Sequence, residues 1–472
     1  MYNLEALKKP IFKIISDCSE SLNVPSYVVG GYVRDIILSG KKSNDIDIVA
    51  IGDGIELAKA VSNALPNKPK VSVYKTYGTA MICHNNIDLE FVGARRESYQ
   101  KNSRNPKVFT GSIEDDQKRR DFTINALAIS LNKVDYGKIL DPFDGIKDLN
   151  RKRIITPLDP NITFSDDPLR MLRAIRFASQ LNFKVDDNCV DAIKKNCKRI
   201  KIITKERIVV ELNKILESPK PSIGFKLLEK TNLLDLILPE LTALKGVDEI
   251  EGQSHKDNFY HTLEVVDNIS IKTNNVWLRW TALLHDIGKA PTKKFSDKVG
   301  WTFHGHELKG SKMVYQIFKR LKMPLNDKMK YVQKLVFLSS RPIAISGNNI
   351  TDAAVRRLVY DAGENIDDLI TLCEADITTK NPKKFRLYHN NFKIVRKKMV
   401  EVEERDRIRN FQPPISGEEI MNVFELKPCR EIGIIKEFIK EAILDGDIPN
   451  NKKAAYDLMV KKGTQLGLKS TI

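Results

Sequence analysis

The sequence lacks long apolar runs, paired cysteines and internal repeats. No stretch approaches the roughly 20 consecutive apolar residues of a membrane-spanning helix, so we expect no contact with a membrane. The N-terminal segment MYNLEALKKPIFKIISDC has neither the apolar core nor the cleavage site of an export signal. The six cysteines are scattered without a CxxC pair, which argues against a disulfide framework and a zinc knuckle. We therefore predict a cytoplasmic protein.

The sequence is long and rich in basic residues. Its 78 Lys and Arg against 61 Asp and Glu give a formal net charge of +17 over 472 residues. This charge favours a polyanionic partner, because Lys and Arg that neutralise phosphates release condensed counterions. Charge alone does not separate a nucleic-acid-binding protein from any other basic protein. At about 150 residues per domain, the length predicts about three packed units.

The pattern of apolar residues changes along the chain. Short β-rich runs such as DIDIVAIG alternate with helical stretches at first, whereas long amphipathic segments predominate from about Thr163 onward. This change predicts an α+β protein with a mixed head followed by a helical remainder. We divide the chain into a head, a neck, a body and a tail at residues 1–150, 151–220, 221–380 and 381–472.

The segment from Tyr27 to Val49 has the first pattern that indicates chemistry. It predicts a strand, a turn at Gly30 and Gly31, a short helix with Arg34, and a second strand. Glycines after a strand let backbone N–H groups approach a phosphate, a helix N-terminus favours negative charge, and Arg34 adds a charge-assisted contact. A Gly-Gly pair alone is usually only a turn. In this order, the residues predict a triphosphate-binding loop.

Acidic residues occupy alternate positions in two predicted strands. Asp45 and Asp47 project from one face of the first and can chelate Mg²⁺. Asp88 and Glu90 form a second pair, from which we choose Glu90 as a third carboxylate. Three carboxylates holding two metal ions suit the attack of a hydroxyl on an α-phosphate with release of pyrophosphate. An Asp-x-Asp pair alone is usually a solvated strand end, but beside the glycine turn it favours nucleotide transfer.

Two further segments offer contacts to a nucleotide. Arg120 and Asp121 stand before an apolar run that we predict as a helix, where Arg120 can meet phosphate and Asp121 a ribose hydroxyl. Alternatively, Asp121 only caps that helix.

A predicted helix beginning at Pro168 presents four charged residues at every third position. We assign the first two to a base edge and the last two to the triphosphate, the alternative being a solvated face. The four are Asp167, Arg170, Arg173 and Arg176.

Several of these segments together resemble the motifs of bacterial-type class II tRNA nucleotidyltransferases, which add CCA to tRNA 3′ ends. They are GGYVRD with DIDIV, RRDFTINALA, DPFDGIKDL, SDDPLRMLRAIRFAS and KERIVVELNKIL, over residues 27 to about 216. The resemblance implies a polymerase-β-like head that binds Mg²⁺ through Asp45 and Asp47. It implies nucleotide contacts from Arg34 and Arg120. It also implies tRNA as the partner, and CTP and ATP as substrates.

The same resemblance extends to base selection. It implies that Asp167 and Arg170 pair with the incoming base without a nucleic-acid template, and that Arg173 and Arg176 complete the pocket. Glu206, Arg207 and Glu211 match a motif that supports the base-selecting helix. The polar loop 94–113 resembles the flexible segment that these enzymes use to switch from C to A, which argues against a CC-only enzyme.

Five of the seven histidines fall between His255 and His306, which indicates a metal site. Imidazole and carboxylate groups from separate helices can complete an octahedral site that activates water for phosphoester hydrolysis. A lone helical histidine is usually structural, but an adjacent His-Asp pair in an apolar helix is not easily dismissed. Our candidate ligands are His261, His285, Asp286 and Asp376.

The spacing of these four resembles the HD phosphohydrolase superfamily over residues 255–380. The resemblance implies them as core ligands of a divalent transition metal, and His306 as a further ligand of dinuclear members. Ser339 stands where active relatives tend to have histidine. We therefore expect a mononuclear or weakened site, either a phosphatase or cyclic phosphodiesterase on RNA ends, or a structural remnant.

CCA addition in the cytoplasm is the function that we predict from the sequence. The first alternative is a bacterial poly(A) polymerase, whose usual basic segment after the third carboxylate is not found in GARRESYQKNSRNPKV. The second is a non-catalytic RNA-binding scaffold, against which the three intact carboxylates argue. A third makes HD phosphohydrolysis the main activity. The oligomeric state stays open.

Overall fold

The computed structural model describes residues 5–39, 44–75, 78–98, 107–250, 253–254, 256–345, 351–406 and 412–469. The chain folds into two compact units, Met1–Pro239 and Glu240–Ile472. The division into head, neck, body and tail stays a prediction. No helix among the described residues is long and apolar enough to cross a membrane.

The first unit combines β-strands with α-helices. Its strands are β1 (Ser26–Val29), β2 (Asp45–Ala50), β3 (Val71–Tyr74), β4 (Thr79–His84), β5 (Ile87–Gly93), β6 (Arg95–Ser98), β7 (Lys107–Thr110), β8 (Ala128–Ser130), β9 (Ile139–Leu140), β10 (Arg153–Ile154) and β11 (Lys184–Val185). Its helices are α1 (Pro10–Ser21), α2 (Gly31–Ser39), α3 (Gly54–Ala64), α4 (Ile113–Lys118), α5 (Gly145–Asn150), α6 (Pro160–Asp166), α7 (Leu169–Leu181), α8 (Asp187–Asn196), α9 (Lys205–Leu216), α10 (Pro221–Lys230) and α11 (Leu233–Ile237).

A seven-stranded sheet in the order β3-β4-β5-β2-β1-β8-β9 forms the centre of this unit. β2 and β5 run parallel, and the other neighbouring strands of the sheet are antiparallel. Alternation along β2 buries Ile46 and Ile48 completely and turns Asp45 and Asp47 to the opposite face. The hydrophobic effect on one face therefore fixes where the acidic residues of the other face lie.

One predicted helix is wrong. The run after Asp121 forms a 3₁₀ turn, Thr123–Asn125, followed by the strand β8. β8 pairs with β1, placing Ile129 opposite Val28 in the buried part of the sheet. A short apolar run fits a helix or a strand by its pattern alone, so the non-local pairing decides its structure.

The beginning of the arginine-bearing helix also differs slightly from the prediction. α7 begins at Leu169, one residue after Pro168, and the helix α6 directly precedes it. Asp159 caps α6 by accepting the N–H of Asn161 at 2.7 Å. The sequence therefore contains a second Asp-Pro helix start, at Asp159 and Pro160.

The second unit is predominantly helical, as predicted, with two short hairpins. Its helices are α12 (Pro239–Thr242, beginning at the unit boundary), α13 (Asn258–Lys272), α14 (Val276–Leu284), α15 (Lys289–Thr292), α16 (His306–Arg320), α17 (Asp327–Leu338), α18 (Arg341–Ala344), α19 (Asp352–Ala362), α20 (Ile366–Asp376), α21 (Pro382–Asp406), α22 (Gly417–Phe424), α23 (Arg430–Asp445) and α24 (Lys452–Gln465). The hairpins pair β12 (Glu249–Ile250) with β13 (Gln253–Ser254), and β14 (Lys294–Ser296) with β15 (Gly300–Thr302).

The core of this unit holds α13 against both α14 and α20. Phe259 on α13, Trp280 on α14 and Leu369 on α20 are completely buried. Burying large apolar side chains of this kind stabilises a fold by about 1.5–3 kcal/mol each. This packing brings together the helix ends on which the predicted metal ligands lie. The sheet-containing first unit and the helical second unit confirm the α+β class.

Candidate active site and metal centre

The predicted carboxylates of the head lie side by side on two parallel strands. Asp45 on β2 lies opposite Asp88 on β5, and Asp47 lies opposite Glu90. Asp45 and Glu90 are exposed, whereas Asp47 is partly buried. Burial raises the pKa of Asp47 to about 6, with Arg120 opposing and the carboxylates of Asp45 and Glu90 adding to the shift. Crowded carboxylates with this repulsion are suited to a divalent cation, which neutralises them.

The turn between β1 and α2 touches this acidic face directly. Gly30 has a φ of +73°, in the left-handed region that glycine tolerates best. A Cβ atom at Gly30 would lie 3.0 Å from Nη1 of Arg120 and 3.3 Å from Oδ2 of Asp47. At Gly31 the nearest neighbour of such an atom would be Nη2 of Arg34, at 3.6 Å. Gly30 is therefore needed for two reasons. The turn requires its positive φ, and a side chain at this position would crowd Arg120 and Asp47.

Arginines converge on a cavity of about 480 Å³ in the same unit. The guanidinium carbons of Arg34, Arg173 and Arg176 lie 5.0, 5.6 and 4.2 Å from the ring centroid of Phe177. Burial lowers the pKa of Arg176 to about 10. Like charges gathered around one ring favour binding of an anion such as a triphosphate. The lining comprises Gly30, Gly31, Arg34, Asp47, Arg120, Asp121, Asn125, Arg173, Arg176, Phe177, Gln180, Lys214 and Glu217.

Asp121 holds one of these arginines in place. Its Oδ2 accepts a hydrogen bond from Nε of Arg173 at 2.7 Å, and its Oδ1 accepts one from Nδ2 of Asn125 at 3.0 Å. Burial alone would raise the pKa of Asp121, but Arg173 and Asn125 lower it to about 2. The carboxylate therefore stays ionised and orients Arg173. The predicted contact of Asp121 with a ribose hydroxyl stays a prediction.

The sequence interpretation missed two polar residues of this network. Asn125 accepts a hydrogen bond from Nη1 of Arg34 at 2.8 Å and donates to Asp121, so it connects two predicted residues. Asp116 is completely buried and accepts hydrogen bonds from Nε and Nη2 of Arg120 at 3.0 and 2.9 Å. The separation of four residues between Asp116 and Arg120 was a usable signal, because side chains at that spacing meet on a helix.

The two residues assigned to the base lie at the start of α7. Oδ1 of Asp167 accepts the N–H of Leu169 at 3.1 Å, and Nη2 of Arg170 donates to the carbonyl of Arg119 at 2.6 Å. Both side chains are partly exposed; Arg170 lies one turn before Arg173, and Asp167 lies between α6 and α7. Their position leaves them accessible beside the arginine cavity, and their role in base selection stays a prediction.

Two other predicted features concern the surroundings of the arginine cavity. Nη1 of Arg176 lies 3.3 Å from Oε2 of the buried Glu211 on α9, while Glu206 and Arg207 are exposed. The centre of the predicted flexible loop, residues 99–106, lies outside the described residues. The strands β6 and β7 that flank it pair antiparallel.

The four predicted core metal ligands of the second unit come from three helix ends and lie close together. His261 belongs to the first turn of α13, His285 follows α14, and Asp376 ends α20. Nε2 of His261 lies 2.8 Å from Oδ1 of Asp376 and 3.7 Å from Oδ2 of Asp286. Nε2 of His285 lies 3.6 and 3.4 Å from the same two atoms. His261, His285 and Asp286 form a buried cluster able to hold a metal ion.

Hydrogen bonds orient two of the histidines for metal binding. Nδ1 of His285 donates to the carbonyl of Ala282 at 2.8 Å, and Nδ1 of His306 donates to that of Phe303 at 2.9 Å. Because a carbonyl only accepts, each neutral ring presents a lone pair on Nε2. Burial opposes protonation of His285, but Asp286 and Asp376 raise its pKa to about 9, so a metal that binds at Nε2 would displace a proton from it.

The donor set fits a divalent metal ion. Within the described part of the chain, the buried Nε2 of His285 has no hydrogen-bond partner, and Oδ1 of Asp376 faces it at 3.6 Å and Nε2 of His261 at 2.8 Å. A metal bound between His285 and Asp376 would satisfy this Nε2 atom. Nζ of Lys289 donates to Oδ2 of Asp286 at 2.6 Å, which leaves Oδ1 of the same carboxylate facing Nε2 of His306 at 3.8 Å.

Ser339 does not point its hydroxyl toward this cluster. Its Oγ is buried and donates to the carbonyl of Val336 at 2.9 Å, within the last turn of its own helix. His255, which contributed to the histidine count, lies outside the described residues. The expectation of a mononuclear or weakened site therefore stays a prediction.

Comparison with known proteins identifies the family. Residues 26–155 match the Poly A polymerase head domain, residues 182–245 a probable RNA and SrmB-binding site of polymerase A, and residues 258–381 the HD domain. The chain is 30% identical over 384 residues to the multifunctional CCA protein of Pseudomonas fluorescens, aligning 77% of this chain with 87% of that protein. The chain belongs to the tRNA nucleotidyltransferase family. Membership implies the use of a divalent metal.

Two further matches place this tRNA nucleotidyltransferase among its relatives. It is 31% identical over 371 residues to the A-adding tRNA nucleotidyltransferase of Aquifex aeolicus, covering 73% of this chain but only 44% of that protein. Its fold is similar to that of the Bacillus stearothermophilus CCA-adding enzyme solved in complex with CTP, with a TM-score of 0.69 at 22% identity. That match covers 97% of this chain and 99% of the other.

Proposed function

We propose that this nucleotidyltransferase completes the CCA end of tRNA, using CTP and ATP and no nucleic-acid template. The observation that supports it best is the position of Asp47. It lies opposite Glu90 on the acidic face and also lines the arginine cavity. Asp47 thus belongs both to the carboxylates that would bind a metal and to the cavity whose arginines would bind a triphosphate. Nucleotidyl transfer requires these two sets of groups side by side.

The carboxylates and the arginines have separate roles in this proposal. Asp45, Asp47 and Glu90 hold Mg²⁺, which when bound activates the attacking hydroxyl and steadies the leaving pyrophosphate. Arg120, fixed by the buried Asp116, and Arg34, fixed by Asn125, bind the triphosphate. Positioning of this kind lowers the barrier because the reacting groups are held in line before the reaction begins.

Selection of the base falls to the first turn of α7. Asp167, just before α7, offers an acceptor, and Arg170, one turn before Arg173, offers a donor; Arg173 is itself held by Asp121. A carboxylate and a guanidinium can form paired hydrogen bonds with the edge of cytosine or adenine. The protein, and not a template strand, then chooses the nucleotide.

Addition of the terminal A alone is the main competing function. The Aquifex aeolicus relative is named an A-adding enzyme, and the identity of 31% to it is no lower than that to the multifunctional CCA protein. A poly(A) polymerase remains the second competitor, because the matched head domain takes its name from that enzyme. A non-catalytic RNA-binding scaffold is the third.

One incorporation assay distinguishes these functions. Purified protein is incubated with Mg²⁺, CTP and ATP and with tRNA ending before the CCA, after the first C or after CC. We expect extension of all three to the same final length, and none by an Asp47→Asn variant. Extension of the CC-ended tRNA alone would establish A addition, a long A tail would establish a poly(A) polymerase, and no extension would leave the scaffold.

We infer a second activity for the other unit, a phosphohydrolase on RNA ends that uses a divalent transition metal. The buried Nε2 of His285, which has no hydrogen-bond partner among the described residues and faces the carboxylates of Asp286 and Asp376, supports a bound metal there. The test is phosphate release from 2′,3′-cyclic AMP with added Ni²⁺ or Mn²⁺. Turnover no higher than that of a His285→Ala variant would reject the activity and leave a structural remnant. For both activities we propose a cytoplasmic setting, which suits six free cysteines.

A further inference from the structure

A cavity of about 960 Å³ opens beside the metal ligands of the second unit. His261 and Asp376 lie on its wall, together with Lys256 and the segment that follows α20. Aromatic side chains line it as well, namely Tyr260, Tyr388 and Phe392. Small-molecule sites usually have this size and this combination of aromatic surface with a few polar groups.

One wall of this cavity comes from outside the matched HD region. The HD match ends at residue 381, whereas Tyr388, Asn391 and Phe392 belong to α21. Their spacing of three and four residues places them on one face of that helix. Phe392 is 2% exposed and anchors the face, while Tyr388 is 41% exposed and free to offer its ring to a ligand.

Two lysines belong to the lining of this cavity, and one of them contacts a metal ligand. Nζ of Lys256 lies 2.8 Å from Nδ1 of His261 and also donates to the hydroxyl of Thr378. Lys380 is a second exposed lysine of the lining. The lining also contains the carboxylates of Asp257, Glu264 and Asp376, so a phosphate would be bound by the individual contact with Lys256 and not by a net positive surface.

We propose that this cavity binds a nucleoside phosphate, with its base against Tyr388 and its phosphate toward Lys256 and the metal ligands. Stacking on an aromatic ring is available to any base, and a lysine beside the metal ligands suits a phosphate ester. Asn391 and Glu264 stand on the lining as polar groups for the edge of the base or the ribose. The tail helix α21 then completes the site with residues that the HD family match does not include.

This proposal rests on the phosphohydrolase proposed above, but its test does not need a metal. Full-length protein in EDTA is titrated calorimetrically with 2′,3′-cyclic AMP. An Arg173→Ala background weakens binding to the head, and heat that persists in Tyr388→Ala on this background is assigned to the head. A second series uses a short RNA that ends in a 2′,3′-cyclic phosphate. Binding in both series identifies an RNA end as the source of the phosphate, and binding of the mononucleotide alone identifies free nucleotides.

Variants on α21 test whether residues inside the cavity, and not residues next to it, bind the nucleotide. We expect Tyr388→Ala to weaken binding about tenfold, since base stacking on an aromatic ring is worth about one such factor. Tyr388→Phe keeps the ring and should bind normally, as should Phe385→Ala, which removes an exposed ring of α21 outside the cavity. Lys256→Met should weaken binding of the phosphate severalfold.

Two results would overturn the proposal: no binding in EDTA, or equal affinities for Tyr388→Ala and Phe385→Ala. Unchanged melting of each variant by circular dichroism shows that it is folded. Binding that depends on Tyr388 without turnover in Ni²⁺ or Mn²⁺ would support the cavity and reject the phosphohydrolase. Failure of the one is thereby distinguished from failure of the other.

Discussion

Asp121→Asn is the substitution that most directly tests how the arginine cavity is held together. The carboxylate of Asp121 is 7% exposed and carries the charge that holds Arg173. Asparagine has nearly the same size but no charge, so the variant removes the ion pair and leaves the packing. We expect the variant to have a less stable first unit and to bind nucleotides more weakly.

The size of the effect follows from the pKa of Asp121. It is lowered from 3.8 to about 2, which at about 1.4 kcal/mol per unit corresponds to about 2 kcal/mol of stability. Because the folded-state pKa is depressed, this contribution is fully present above pH 4. It is lost as the pH falls from about 4 to 2. The burial of the group means that solvent screening reduces the figure little.

The assay must report on the first unit alone. All three tryptophans, Trp277, Trp280 and Trp301, lie in the second unit, so their fluorescence does not follow unfolding of the first. Hydrogen exchange of peptides from α7, read by mass spectrometry across a urea series at pH 7, does. The matched control is Asp144→Asn, whose side chain is 76% exposed and, among the described residues, is paired only with Lys147 at 3.5 Å. It should cost less than about 0.5 kcal/mol.

Equal exchange in the two variants would refute this account of Asp121. Exchange would also be equal in the two variants if the carboxylate were a ribose ligand with no structural role. Enzyme kinetics distinguish a positioning role from such a ribose contact. A positioning role predicts a raised KM for both CTP and ATP. A ribose contact predicts lost preference for ribonucleotides over deoxyribonucleotides, with stability unchanged.

Further substitutions test the acidic face, the glycine turn and the metal centre. Glu90→Gln should lower nucleotide incorporation at least 100-fold while nucleotide binding persists, and Asp88→Asn should lower it less; equal losses would contradict the choice of Glu90. Gly30→Ala should destabilise the first unit by about 1–3 kcal/mol, because the added Cβ would lie 3.0 Å from Nη1 of Arg120 at a φ of +73°. Gly78→Ala, with a φ of +61° and nothing within 4 Å, isolates the cost of the backbone conformation; an equal loss of stability there would contradict the close contact at Gly30. His285→Ala should abolish retention of Ni²⁺ measured by elemental analysis, and full retention would contradict the proposed ligand set.

Local patterns in the sequence predicted the structure wherever one element and its turn determined the geometry. The strand, glycine turn, helix and strand from Tyr27 to Val49 are confirmed, because the alternation in β2 and the φ of Gly30 are properties of the local chain. His285 and Asp286 are adjacent in the sequence, so predicting that they lie together required no knowledge of distant parts of the chain.

Features that depend on distant parts of the chain were missed. The strand β8 forms because β1 offers it a partner roughly a hundred residues earlier in the chain. Asn125 gained its importance only when folding brought it to both Arg34 and Asp121. The register that sets Glu90 beside Asp47 is likewise a property of the parallel pair β2 and β5, and the sequence shows the alternation of each strand but not their alignment.

Sequencing the 3′ ends of product RNA tests the central claim most directly. Transfer RNA that lacks CCA is incubated with the protein, Mg²⁺, CTP and ATP, and each product end is read individually. The account predicts products that end in CCA, with addition stopping after the A. Ends that carry a run of A, or that stay unextended unless CC is already present, would contradict it.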